Sequence, residues 1–61
     1  MVEFRIERYE PEGMYVIVLL SDGHWIKKVA ECYEEDYAVM IGNALAKNSG
    51  SKFDSKINKE Y

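Results

Sequence analysis

The run Met14–Leu20, Met-Tyr-Val-Ile-Val-Leu-Leu, constrains the fold more than any other part of this 61-residue chain. Successive side chains of a strand point to opposite faces of the sheet, and this run is apolar at both sets of alternating positions. No other run of the chain is apolar on both of its alternating faces. We therefore interpret Met14–Leu20 as the central strand of a small antiparallel sheet.

A first strand is predicted at Val2–Tyr9, where apolar and charged residues alternate. The Glu10–Gly13 sequence that follows, with its proline and glycine, suits a hairpin turn. A three-residue loop places Ile6 beside Val18, whereas a two-residue loop places Ile6 beside Ile17. We prefer the three-residue loop because it gathers one apolar face, which consists of Val2, Phe4, Ile6, Met14, Val16, Val18 and Leu20.

Asp22-Gly23 lies between two apolar runs and predicts a second hairpin turn. The third strand is then His24–Cys32. The adjacent Lys27 and Lys28 interrupt its alternation and indicate a bulge or an exposed edge.

A helix is predicted at Tyr33–Asn48. Glu34, Glu35 and Asp36 fall in its first turn, where carboxylates complement the helix dipole. Gly42 weakens the helix, either because another element approaches its backbone or because a surface glycine is tolerated there. The apolar residues at helical spacing are Tyr37, Ala38, Ile41, Ala44 and Leu45.

Residues 51–61 form a polar C-terminal tail with Phe53, Ile57 and Tyr61 four residues apart. Its start resembles a capping box, so we predict either a short amphipathic helix or a disordered tail. The predicted fold class is α+β, a three-stranded antiparallel β-meander with one α-helix packed on one face. Residues 1–50 form its single β-β-β-α domain.

One helix covers only one face of such a sheet. We expect it on the face of Phe4, Ile6 and Val18, which leaves the opposite face apolar with a charged rim. Such a patch is typical of a binding surface, although the tail is an alternative cover. The predicted partner-binding residues lie on this face and in the acidic helix start: Tyr9, Tyr15, Ile17, Leu19, Ile26, Glu34, Glu35 and Asp36.

The chain offers little for catalysis or metal binding. If His24 and Cys32 lie at the two ends of one strand, they are roughly 26 Å apart and cannot share a zinc ion. Glu34–Asp36 lacks EF-hand spacing. We therefore predict a non-enzyme with no catalytic residues, metal or cofactor, whose partner is another protein or a second copy of itself.

Charge and hydropathy restrict the classes of partner and the cellular location that we expect. The net charge is −3, and no dense basic face suggests nucleic-acid binding. No apolar run reaches the ~20 residues that span a bilayer, and the charged start lacks a signal-peptide layout. The single cysteine, Cys32, is typical of a reducing compartment. We predict no membrane association and a cytoplasmic location, in a bacterium or a host cell.

Residues 14–48 resemble short accessory proteins of phages and prophages. The resemblance rests on a hairpin strand that ends in Val29-Ala30-Glu31-Cys32 and a helix that ends in Ala44-Leu45 and Asn48. It implies a small inhibitor or modulator that occludes a host enzyme or defence complex, as anti-CRISPR proteins do. It implies no particular functional residue. The alternative function is a homodimeric structural or ligand-binding module.

Overall fold

The computed structural model describes the backbone of residues 1–60 and the side chains of residues 1–57. Its elements are β1 (Val2–Tyr9), β2 (Met14–Ser21), β3 (His24–Cys32), α1 (Glu35–Ser49) and β4 (Lys52–Glu60). The strands form one sheet in the order β3-β2-β1-β4. The α+β class with one helix is confirmed. The three predicted strands pair antiparallel as a meander, but the sheet is not three-stranded, because β4 adds a parallel strand and makes it mixed.

The fourth strand comes from the segment that we predicted to be a short helix or a disordered tail, and that prediction is wrong. β4 runs parallel to β1, with Phe53 opposite Phe4. Parallel neighbours need a long crossover, and α1 provides it between β3 and β4. Tyr61, which was predicted to share a face with Phe53 and Ile57, lies outside the described residues.

The β1–β2 hairpin adopts the register that we did not prefer. Ile6 lies opposite Ile17, so its predicted pairing with Val18 is wrong. Tyr9 and Met14 form the last pair, and the loop between them contains four residues. The N–H of Gly13, at φ +70°, donates to the Tyr9 carbonyl over 2.9 Å. A one-residue slip exchanges the faces of a strand, so every β2 side chain lies on the side opposite to the predicted one.

The second predicted hairpin is confirmed. Asp22 and Gly23 both have positive φ, +53° and +82°, as a two-residue turn of type I′ requires. The irregularity predicted near Lys27 and Lys28 is also present. The β2–β3 pairing skips one residue on each side of the lysine pair, at Ile26 and at Val29.

The main core lies between α1 and one face of the sheet. Ala38, Gly42 and Ala46 are the buried residues of α1, and their small size lets the helix lie close to the strands. After α1, Gly50 takes a left-handed conformation with φ +68°. The N–H of Ser51 donates to the Ala46 carbonyl over 2.9 Å, and the chain then enters β4. The sheet and β4 residues of this core are Phe4, Ile6, Tyr15, Ile17, Leu19, Val29, Ala30, Cys32, Phe53 and Ile57.

Candidate protein-binding surface

The sheet face that α1 leaves free is closed by the chain's own side chains. Val16, Val18 and Leu20 of β2 point to this face, yet they are only 2%, 0% and 2% exposed. Tyr9 and Met14 pack against them as a second, smaller core. The predicted open apolar face is therefore wrong.

Long charged side chains and an indole flank these three residues. Val18 lies between Arg5 and Lys28 in neighbouring strands, and Leu20 lies between Glu3 and Trp25. Arginine, lysine and other amphipathic side chains cover apolar surface with their aliphatic stems while their charged ends remain in water. The helix-free face is thus a mainly charged surface, with the half-exposed Trp25, over a buried apolar row.

Three predicted binding residues lie under the helix. Tyr15 and Ile17 are 7% and 0% exposed in the main core, and the partly buried Leu19 packs against that core. The change of register moved them there, so their placement on the helix-free face is wrong. A partner cannot reach Tyr15 or Ile17 in this fold.

Tyr15 instead ties the first hairpin together. Arg8 Nη1 donates to the Tyr15 hydroxyl over 2.7 Å, and the guanidinium lies 5.1 Å from the ring centroid. Arg8 Nε donates to Glu10 Oε2 over 2.6 Å. This hydrogen bond is the main cause that raises the pKa of Arg8 above its usual value. The three side chains connect β1, its loop and β2, which is a structural role.

The other predicted residues remain accessible to different degrees. Tyr9 is half-buried on the helix-free face, and its hydroxyl donates to a carboxylate oxygen of the buried Glu7 over 3.3 Å. Ile26 is 49% exposed on β3. The three carboxylates of the helix start are exposed and lie together, namely Glu34, Glu35 and Asp36.

A group of accessible apolar side chains lies at the start and on the outer side of α1, where sequence reasoning did not place an apolar site. Tyr33 is 71% exposed, and Tyr37 and Met40 are each 56% exposed. Each helical residue advances about 100° around the axis, so positions 37, 40 and 44 lie opposite the buried positions 38, 42 and 46. We call Tyr37, Met40 and Ala44, together with Tyr33 just before the helix, the outer stripe.

The outer stripe had a visible signal in the sequence. Its three helical members, Tyr37, Met40 and Ala44, are spaced by three and four residues, which is the spacing of one helix face. Tyr33 lies before the extended Glu34, outside that spacing. We had counted Tyr37 and Ala44 together with Ala38 and Ile41 as one broad apolar face. The structure divides that set: Ala38 and Ile41 pack in the main core, while Tyr37 and Ala44 are exposed on the outer side.

The acidic start of α1 adjoins the outer stripe. Glu34, Glu35 and Asp36 fall between Tyr33 and Tyr37 in the chain. No salt bridge among the described residues involves any of the three. Glu34 contributes its backbone carbonyl, which accepts from the Ala38 N–H and the Cys32 thiol. The carboxylates are therefore free to meet a partner.

Among the described residues, no three His, Cys, Asp or Glu side chains are grouped so as to hold a metal ion. No pocket was found in the described part of the chain. α1 is too short and too polar to cross a bilayer, and no other helix is described. Comparison with protein-family models, with curated proteins and with solved structures finds no match for the chain.

Proposed function

We propose that this chain is a non-enzymatic protein-binding module, which inhibits or modulates a protein partner by covering part of that partner's surface. The proposed contact surface is the outer stripe with Glu34, Glu35 and Asp36. The observation that carries the proposal is the orientation of α1. Its inner side buries two alanines and a glycine and packs Val39, Ile41 and Leu45 against the core, while Tyr37 and Met40 are exposed.

That orientation is costly for a small domain that acts alone. A chain of about 60 residues buries only about 60% of its unfolded surface, so each buried large side chain matters for stability. Full burial of one Met or Phe-sized side chain contributes about 1.5–3 kcal/mol. Tyrosine and methionine are enriched at protein interfaces, so a partner is the simplest use for a tyrosine and methionine face.

The β3 edge of the sheet is a weaker candidate. β3 is an edge strand, but its pairing with β2 is irregular at Ile26 and Val29, and it carries Lys27 and Lys28. Irregular pairing and lysines are the features by which natural sheets avoid edge-to-edge association. A partner strand would add poorly to such an edge, which leaves the side of α1 as the better surface.

The resemblance of residues 14–48 to short phage and prophage proteins supplies the biological setting of the proposal. The partner is then a bacterial host enzyme or defence complex in the cytoplasm, and the chain acts by occlusion. The lack of a strong catalytic motif in the sequence supports a binding function over an enzymatic one.

Affinity capture from a bacterial lysate, followed by calorimetry with the purified captured protein, tests the proposal. The test variants are Tyr37→Ser and Met40→Ser, and the matched control is Asn43→Ala, an exposed α1 position outside the outer stripe. We expect each test variant to weaken binding about tenfold, equivalent to about 1.4 kcal/mol. Equal affinity of the test variants and the control would overturn the proposal.

A homodimeric structural module is the alternative, and one observation favours it. The spacing of Tyr37, Met40 and Ala44 is that of helices that pack side by side. In an antiparallel pair centred near Gly42, Met40 would lie against Ala44 of a second copy. Light scattering at high protein concentration separates the two functions, because a strict monomer excludes the alternative.

A further inference from the structure

We infer that the partner presents a cationic surface to this chain, with an apolar centre and with lysine or arginine side chains at one end. The inference rests on the proposed function and specifies the chemistry of its partner. It follows from how charge is distributed along the outer stripe.

The two ends of the outer stripe differ in charge. Glu34, Glu35 and Asp36 are three consecutive exposed acids at its first end. Lys47 is the basic residue in the last turn of α1. Asn43 and the apolar stripe residues lie between the two ends. A complementary surface therefore carries cations opposite the helix start and uncharged groups opposite Met40.

Several carboxylates in the described part of the chain are already paired, whereas these three, like Glu3 and Glu12, form no salt bridge. The three are set apart by being consecutive and exposed. Glu10 binds Arg8, Asp22 binds the Met1 amino group, and Glu31 binds Lys28. The acids of the helix start have no such neighbour within the described residues. They also lie between the exposed Tyr33 and Tyr37 in the chain, and arginine and lysine bind well where carboxylates and aromatic rings occur together.

A second copy of the chain fits this charge pattern less well. An antiparallel helix pair would bring one lysine, Lys47, towards three carboxylates at each end. A parallel pair would bring the two acidic ends together. Each chain also carries a net charge of −3, so two copies repel each other at long range. Nucleic acid is disfavoured for the same reason, since its phosphates are anionic.

A matched pair of designed peptides tests the inference on the 61-residue chain. Both are helical with one leucine face, and they differ only in carrying lysine or glutamate at one end. We expect the lysine peptide to bind at least about tenfold tighter and to shift the amide resonances of residues 33–44. We expect high salt to reduce this preference, because exposed charges are screened over about 10 Å at 0.1 M.

Two variants of equal net charge provide the control. Glu34→Gln combined with Asp36→Asn removes two acids of the helix start, and Glu3→Gln combined with Glu12→Gln removes two acids elsewhere. The first pair should abolish the preference for the lysine peptide, and the second should retain it. If both variants lose the preference for the lysine peptide equally, the effect is one of general net charge and the inference is overturned.

The remaining outcomes separate this inference from the proposed function. If both peptides bind the outer stripe equally and Tyr37→Ser weakens both, the proposed function stands and the cationic partner is wrong. If neither peptide shifts residues 33–44 and Tyr37→Ser leaves the captured partner's affinity unchanged, both fail. A stripe-dependent dimer in sedimentation before any peptide is added assigns the surface to a second copy and also overturns the inference.

Discussion

The ring of Phe53 occupies the space that a side chain at Gly42 would need. A Cβ atom built at Gly42 would lie within 3.0 Å of three atoms of that ring. Gly42 is buried on the inner side of α1, and Phe53 projects from β4 into the main core. The absence of a side chain at position 42 thus permits the close approach of the helix to the fourth strand.

Gly42→Ala should destabilise the protein, although alanine is the better helix former by about 1 kcal/mol. The added methyl group must displace the Phe53 ring, and overpacking of a core costs about 1–3 kcal/mol. Urea unfolding of this variant should show a lower midpoint concentration, while the dependence of the free energy of unfolding on urea stays unchanged. A higher midpoint would mean that the ring moves aside freely.

Two further variants isolate the contact between Gly42 and Phe53. Asn43→Ala, at the exposed neighbouring position, should leave stability unchanged or raise it slightly. Phe53→Leu replaces the ring with a smaller side chain. Gly42→Ala should therefore cost less stability in that background. The difference between the two backgrounds measures the coupling of the two residues.

Val18→Ala should lower the free energy of unfolding by about 1–3 kcal/mol, although Val18 faces away from α1. The reason is its burial, since it is 0% exposed on the helix-free face. Val2→Ala makes the same chemical change at a position that is 41% exposed, and it should cost clearly less. Equal losses, measured by urea unfolding, would show that the charged side chains beside Val18 do not exclude water.

The register of the first hairpin shows where sequence reasoning was insufficient. β2 is apolar on both faces, so a count of apolar residues favoured the pairing of Ile6 with Val18. That count treats each charged residue as unable to cover apolar surface. In the structure, Arg5 and Lys28 flank Val18, and their stems provide the second cover. A binary pattern of polar and apolar residues does not contain this information.

The fourth strand was not predictable from local pattern alone. Phe53 and Ile57 share a face in a helix because they are four residues apart, and they share a face in a strand because their separation is even. The neighbour that decides between these options is β1, about 50 positions earlier in the chain. The two hairpins, in contrast, were predictable in outline because their turn residues act locally.

Removal of residues 51–61 should abolish cooperative unfolding, because β4 is part of the sheet. The shortened chain loses Phe53 and Ile57 from the main core and exposes the edge of β1. Circular dichroism in urea should show a broad, early transition, and addition of the 51–61 peptide should restore part of the original one. A sharp transition at the original midpoint would show that residues 1–50 fold without β4.

The stability of the chain should depend on Asp22 at acid pH. Its carboxylate accepts a hydrogen bond from the Met1 amino group over 2.6 Å, and this bond lowers the pKa of Asp22. A lowered pKa in the folded state gives stability that is present above the unfolded value of about 3.9 and is lost as the pH falls through the folded value. Both groups are exposed, so the effect should be small. Asp22→Asn keeps a residue that tolerates positive φ, and it should flatten the acid limb of the pH–stability curve. If NMR titration gives a carboxyl midpoint at or above the unfolded value, the contact with Met1 does not stabilise the folded chain.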